Sequence, residues 1–413
     1  MLCCGSPPNF KALSPSLETA VLPERASRAP RLPGLDLLRA LAIGWVMLYH
    51  AALFDLASDD YWVVRFGWMG VDLFFVLSGF LIAGQLLRPW ARGATPDYPR
   101  FFARRLLRTL PAYLAVIAVY FCFPVVRDRS NIQPLWQFLS FTQNLLIDPS
   151  IANAFSHAWS LCVEEQFYLV FPLIVALVAL KPTPGKIVAV IVGVLVIGMA
   201  LRGYLWLHDV AREPFNIAAK PQAQRYMKLI YYPTWTRLDG LLAGVVAAMI
   251  RAFRPRAWAA ITARPNLLLA AGAAGVGGVS LFFHDQIAGF APAVLGFPLL
   301  AFSMALMVMA ASEPRCLIGH RAIPGAGALA TGAYSLYLSH KAVFHAVQTA
   351  TAHAPASVQN VALLLALAAA AAVGAALYWL VERPFLKLRD RLEGPSLTSL
   401  ASPAPASTPT ASV

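Results

Sequence analysis

Charge is scarce in this chain. Of 413 residues, 13% are Asp, Glu, Lys or Arg, about half the share in an average soluble protein. Acidic residues are the scarcer sign, 20 against 33 basic. A chain this poor in charge is excluded from the ordinary soluble class. Cysteine is also short: Cys3, Cys4, Cys122, Cys162 and Cys316 are an odd, scattered set, without the paired spacings of a disulfide framework or a zinc site. The first 30 residues hold Pro, Ser and charge but no apolar core followed by a small-residue cleavage site, so no secretory signal is read there. Adjacent Cys3 and Cys4 admit lipidation, against the plainer reading of an ordinary tail. From Gly394 onward the chain is Ser, Thr, Pro and Ala, too poor in bulky apolar residues to fold.

What abounds is hydrophobic sequence, 59% of the residues, with a mean hydropathy of +0.62. A continuous apolar run of about 18 residues reads as a membrane-spanning helix. Such runs lie at 36–54, 69–88, 102–124, 158–180, 186–206, 231–250, 266–283, 291–311, 329–347 and 358–380. The expected fold is an all-α integral membrane protein with about ten transmembrane helices. An even count puts both termini on one side. Three parts follow: a flexible cytoplasmic segment at 1–30, a transmembrane domain at 31–386, and a mostly disordered cytoplasmic tail at 387–413. No second soluble catalytic domain fits in what remains.

The net charge of +13 raises nucleic acid as a partner, but its distribution argues against one. Basic residues alternate by loop. Arg25, Arg28 and Arg31 precede the first run; Arg88, Arg92, Arg100, Arg104 and Arg105 join the second to the third; Arg383, Lys387, Arg389 and Arg391 follow the tenth. The intervening connections are poorer in cations, so the positive-inside rule places both termini in the cytoplasm. The segment 207–230 is an exception, with Arg212, Lys220, Arg225 and Lys228 on the expected outer side. It reads as a small structured loop that touches an anionic substrate.

Ionisable residues inside the runs carry the chemistry. Each costs about 2.5 kcal/mol or more in a bilayer unless it faces a cavity or a partner. Arg39 and His50 both lie in the first run. Their eleven-residue offset returns them to within ~20° of one helix face, separated by roughly 16 Å along the axis. They line one stripe at two depths. Orienting every run by the charge rule sorts the remaining polar residues into an inner layer of Asp36, Arg39, Arg104, Arg105, Arg108 and Glu382. An outer layer holds His50, Asp72, Glu164, Glu165, Arg237 and Asp239.

Seven strings occur in the order seen in one family: RLPGLDLLRALAIGWVMLYH, GVDLFFVLSGFLI, FFARRLLRTLPAY, WSLCVEEQFY, TRLDGLLAG, AYSLYLSH and VERPF. Across residues 31–386 the chain resembles the acyltransferase 3 family. The resemblance implies a bacterial-type, multi-pass enzyme of the cytoplasmic (inner) membrane. Such enzymes move acetyl or another short acyl group from acyl-CoA to a hydroxyl of a carbohydrate or related cell-envelope acceptor. Acyl-CoA is then a co-substrate, with no tightly bound cofactor and no metal, and the remaining partners are the acceptor and membrane lipids.

The residues suit that chemistry. Guanidinium groups bind phosphate bidentately, so Arg39, Arg104, Arg105 and Arg108 are the expected donor-binding set. An imidazole takes a proton from a hydroxyl near neutral pH, which makes His50 the expected general base. Asp72, Glu164 and Glu165 are the candidate carboxylates to orient it, and the sequence leaves the choice among them open.

Plainer readings stand beside these. Arg39 snorkels to the interface; Arg104, Arg105 and Arg108 are positive-inside anchors; Asp72 and Glu164 pair with buried arginines; His340 joins a structural network with Tyr334 and Tyr337. Arg237 and Asp239, two apart on one helix, seek partners elsewhere. Ser78, Gly79 and Phe80 permit close helix packing, and no elbow motif supports a nucleophilic Ser78. The rival function is a multi-span transporter or flippase, which also needs a polar interior. Transporters often show internal repeats, and residues 31–206 and 231–386 show none.

Overall fold

The computed structural model of the chain describes residues 32–151, 154–180, 183–212, 221–284 and 288–392. Among them there are helices and no strand. The main helices are α1 (Pro33–Ala52), α2 (Met69–Ala91), α3 (Tyr98–Cys122), α4 (Trp159–Leu180), α5 (Pro184–Leu205) and α6 (Asp239–Phe253). They are followed by α7 (Pro265–His284), α8 (Phe297–Ala311), α9 (Ala326–Thr351), α10 (Ala362–Leu377) and α11 (Arg383–Leu392). Local chemistry sets several starts. Proline occupies the first turn of α1, α3 and α5, where its missing N–H costs nothing. Asp97 caps α3 by accepting from the Arg100 N–H at 3.0 Å.

Eight helices in the described residues are long and apolar enough to cross a membrane. Two of the ten expected runs are not among them. Helix α6, in the run 231–250, has 15 residues, about 22 Å at 1.5 Å per residue, short of a hydrocarbon core of about 30 Å, whereas α8 and α10 are lengthened by the π-helical turns Pro292–Gly296 and Tyr378–Glu382 that continue them. Helix α9, in the run 329–347, has 26 residues but carries Tyr334, Ser335, Tyr337, Ser339, His340 and Lys341. Both are interior: α6 packs against α2 and α8, and α9 against α1 and α10. Helices screened from lipid by their neighbours need no continuous apolar face.

The α2–α6 contact is close because it is built on glycine. A Cβ at Gly79 would collide with the Leu241 carbonyl, and one at Gly244 with the Val76 carbonyl. Gly79 thus has the packing role expected of it.

Helix α11 runs to Leu392, six residues past 386, with its cations spaced along an amphipathic turn sequence. Residues 1–31 and 393–413, which hold the expected N-terminal segment, most of the expected tail, and Cys3 and Cys4, lie outside the described residues. Cys122, Cys162 and Cys316 are all free thiols. Part of 207–230 is helical, and Lys228 there pairs with Asp148 at 2.6 Å; residues 213–220 lie outside the described set.

Candidate active site

A cavity of about 660 Å³ opens between α1, α2, α3, α4 and α9. Helix α2 lines it from Val71 to Pro89, a span of about 27 Å along the helix, and Arg92 at the helix C-cap extends the lining. Seven arginines face it, Arg39, Arg88, Arg92, Arg104, Arg105, Arg108 and Arg389, against two carboxylates, Glu164 and Glu165. All four arginines of the expected donor-binding set are therefore in one wall.

Each wall residue has a local reason for its place. Arg39 sits 3.8 Å from Asp36 on the preceding turn of α1. The Arg105 guanidinium lies over the Tyr168 ring, 3.9 Å from its centroid, a cation–π contact strengthened by burial. Ser78 donates to Glu164 Oε1 at 2.7 Å and Tyr168 to its Oε2 at 3.1 Å. Tyr334 donates to the Thr109 carbonyl at 2.9 Å, tying α9 to α3.

This geometry corrects the two-layer sorting. Glu164 and Glu165 do not join His50 in an outer layer; they face the arginine wall. Depth counted along the sequence treats each side chain as level with its Cα, whereas long charged side chains reach along the helix to their partners. Asp72 is also apart from His50. It is 4% exposed and pairs with Arg237, 1% exposed, at 2.7 Å. Arg237 is further enclosed by the rings of Phe297, Tyr231 and Trp159, at 4.1, 4.4 and 5.2 Å. Arg202 makes a similar pair with Asp239, at 2.7 and 3.1 Å through two nitrogens. Arg237 and Asp239 thus find partners on other elements, as their spacing requires.

At the Val71 end of the cavity, Ser160 and Tyr337 form its lining. Their hydroxyls lie 2.6 Å apart, and Tyr337 also donates to the His157 carbonyl at 3.0 Å. Immediately beyond are three histidines. His50 on α1 is partly exposed, while His157 and His340 are 2% and 0% exposed. Their ring centroids are 4.9 Å (His50–His340), 5.1 Å (His157–His340) and 6.0 Å (His50–His157) apart. The side-chain hydrogen-bond partner of His50 is a histidine, His50 Nδ1 and His340 Nε2 being 2.9 Å apart, and the Val46 carbonyl one turn back on α1 also bonds the His50 ring. Among the described residues, no group of three His, Cys, Asp or Glu is arranged to hold a metal ion.

The backbone supports this end. Phe155 adopts a left-handed conformation (φ 57°), uncommon for a bulky residue. Its N–H donates to Asp128 at 3.0 Å, and its ring meets that of His157 edge-on at 4.9 Å. Asp128 also pairs with buried Lys341 at 2.6 Å; that ion pair and the aspartate's bond to the Phe155 N–H hold the Asp128 carboxyl below the usual carboxylate range.

A family model described as an acyltransferase domain matches residues 32–380. The chain belongs to the acyltransferase 3 family. Two relatives within reach of this acyltransferase 3 chain are named for O-acetyl transfer. The O-acetyltransferase OatA of Staphylococcus aureus (strain NCTC 8325 / PS 47) is 31% identical over 240 residues, 54% of this chain and 35% of the relative. The peptidoglycan O-acetyltransferase OatA of Listeria monocytogenes is 30% identical over 247 residues, 56% of this chain and 36% of the relative. The match thus spans about a third of the length of these curated relatives. No solved structure matches this acyltransferase 3 chain.

Sequence reasoning on this family member passed over His157, Ser160, Lys341 and Asp128, and read His340 as structural. A signal was present in AYSLYLSH and the Lys341 that follows it, which crowd hydroxyls, a His and a Lys into a run long enough to span. Nothing in the sequence pairs His157 with His340, since the two are 183 residues apart.

Proposed function

We propose that this acyltransferase 3 protein transfers a short acyl group, acetyl in the reading its relatives favour, from acyl-CoA to a hydroxyl of a cell-envelope carbohydrate. It does so in a bacterial cytoplasmic membrane, with both termini on the cytoplasmic side. One observation carries the reading: a cavity that is arginine-rich at one end is bounded at the other by Ser160 and Tyr337, side by side with His50, His157 and His340. The donor's phosphates suit the arginine end. Its acyl thioester, at the far end of an extended arm, then lies toward the histidines.

His50 acts as general base. It takes the proton of the acceptor hydroxyl as that oxygen attacks the thioester carbonyl. The new C–O bond forms, the C–S bond breaks, and the proton passes to the departing thiolate, leaving ester and free CoA thiol. A positioned general base contributes about 10²- to 10⁴-fold. Glu164 and Glu165 offset part of the arginine charge while the wall stays cationic. Peptidoglycan is the acceptor that the Listeria relative's name carries, and it is the first glycan to try.

The test is release of CoA thiol from acetyl-CoA by the purified protein in nanodiscs, with a peptidoglycan fragment as acceptor. His50→Ala is expected to abolish acceptor-dependent release with donor binding intact, and Arg39→Ala to weaken donor binding. Full transfer by a well-folded His50→Ala variant overturns the base assignment. No acetyl-CoA binding to the unaltered protein overturns the donor assignment.

A further inference from the structure

We infer that His340 is a positioning residue that fixes which nitrogen of His50 is the base, through a chain from the Leu336 carbonyl to His340 to His50. This deepens the proposed acyltransfer and rests on it. His340 Nδ1 lies 3.1 Å from the Leu336 carbonyl oxygen. A carbonyl only accepts, so Nδ1 carries the hydrogen and Nε2 of the neutral ring carries the lone pair. The 2.9 Å contact to His50 Nδ1 then requires Nδ1–H on His50 as the donor. That leaves Nε2 of His50 with its lone pair, the atom that removes the acceptor's proton. A second ring thereby does for His50 what a carboxylate does in a catalytic triad, selecting tautomer and orientation.

The exposures fit the two roles. His50 is partly exposed, as a group that meets a substrate must be, whereas His340 is fully buried. Phe344 holds the His340 ring edge-on at 5.6 Å. The ionisable groups around the pair are Tyr49 on α1, His157 ahead of α4, and Tyr337 and Lys341 on α9 itself. Asp128, from the loop after α3, takes the Lys341 charge at 2.6 Å. Glu382, from the α10–α11 junction, bonds Ser335 at 2.7 Å, more than one turn of α9 away. No hydrogen bond or ion pair joins a carboxylate of the described residues to either ring.

The test compares His340→Gln with His340→Phe, reading kcat, donor KM and the pH profile of transfer. A Gln amide oxygen accepts from His50 Nδ1–H; a Phe ring fills the space and accepts nothing. If His340 positions the base, Gln retains kcat within a few-fold of the unaltered enzyme. Phe then loses roughly tenfold or more, within the range of general-base effects, at unchanged donor KM. The acid limb of the profile moves to lower pH in Phe alone, because the imidazolium has lost its side-chain acceptor and keeps only the Val46 carbonyl.

A packing role predicts the reverse order, since a buried apolar site favours Phe over Gln. Phe equal to or better than Gln, both variants unchanged, or both equally inactive while folded, overturns the inference. If the Phe variant does not fold, His340→Leu replaces it. Failure of the acyltransfer reading is separate: it shows as no acceptor-dependent release of CoA thiol by the unaltered protein, before any His340 variant is compared.

Discussion

Two sets of arginines sit in the same apolar body under opposite conditions. Arg202 and Arg237, each 1% exposed, are closed off by a single aspartate and by aromatic rings. Arg39, Arg104, Arg105 and Arg108 instead line a cavity where arginines outnumber carboxylates seven to two. The first set is neutralised inside the protein and holds helices together. The second leaves a positive wall facing space, which is what an anionic ligand requires. Residue type does not separate the closed arginines from the cavity-facing ones here; the ratio of nearby carboxylate to cation does.

The largest way to break this comparison is to remove one partner of a closed pair. Arg237→Ala leaves Asp72 charged and buried, at a cost of about 3–5 kcal/mol, so most of the protein is expected to be lost from detergent extracts, as read by size-exclusion recovery. Replacing both partners, Asp72→Leu with Arg237→Met, is expected to recover much of that loss in the same assay, because an apolar pair of similar volume needs no solvation.

A cavity arginine behaves differently. Arg108→Gln is expected to leave folding intact and raise the donor KM by about tenfold or more, the worth of one charge-assisted hydrogen bond, measured by CoA-thiol release. Added salt sharpens the contrast: from 50 to 300 mM it should raise donor KM several-fold through screening, while the melting temperature, set in part by the closed pairs, barely moves.

The smallest effect belongs to a pair at the surface. Lys228 and Ser150 bond Asp148 and lower its carboxyl to about 2. A folded value below the unfolded one means the stabilisation is full above about pH 4. It is lost as pH falls through about 2. Because the pair is a third exposed, it is worth less than about 1 kcal/mol. Asp148→Asn should therefore shift the melting temperature at pH 7 by a few degrees at most.

Much of this was written in local sequence. The membrane class follows from apolar runs and scarce charge, and Gly79 announced close packing. The arginine wall was legible because Arg104, Arg105 and Arg108 share one string and Arg39 heads another. The partner of His50 was not legible. Any of three carboxylates suited it by depth, and the structure sends Asp72 to Arg237, sets Glu164 and Glu165 against the arginines, and gives His50 a histidine. Hydropathy read the segments of α6 and α9 as spans like the rest; that they are not long and apolar enough to count among the eight, and pack against other helices, only the structure shows.

The sequence by itself determined solvent, helix type and which residues carry cost: composition is a sum over residues, and an ionisable group in a long apolar run is expensive whatever its neighbours. Only the tertiary structure decided how each cost is met. Pairing energy depends on distances between side chains 165 or 290 positions apart, and those distances exist only once the helices have packed.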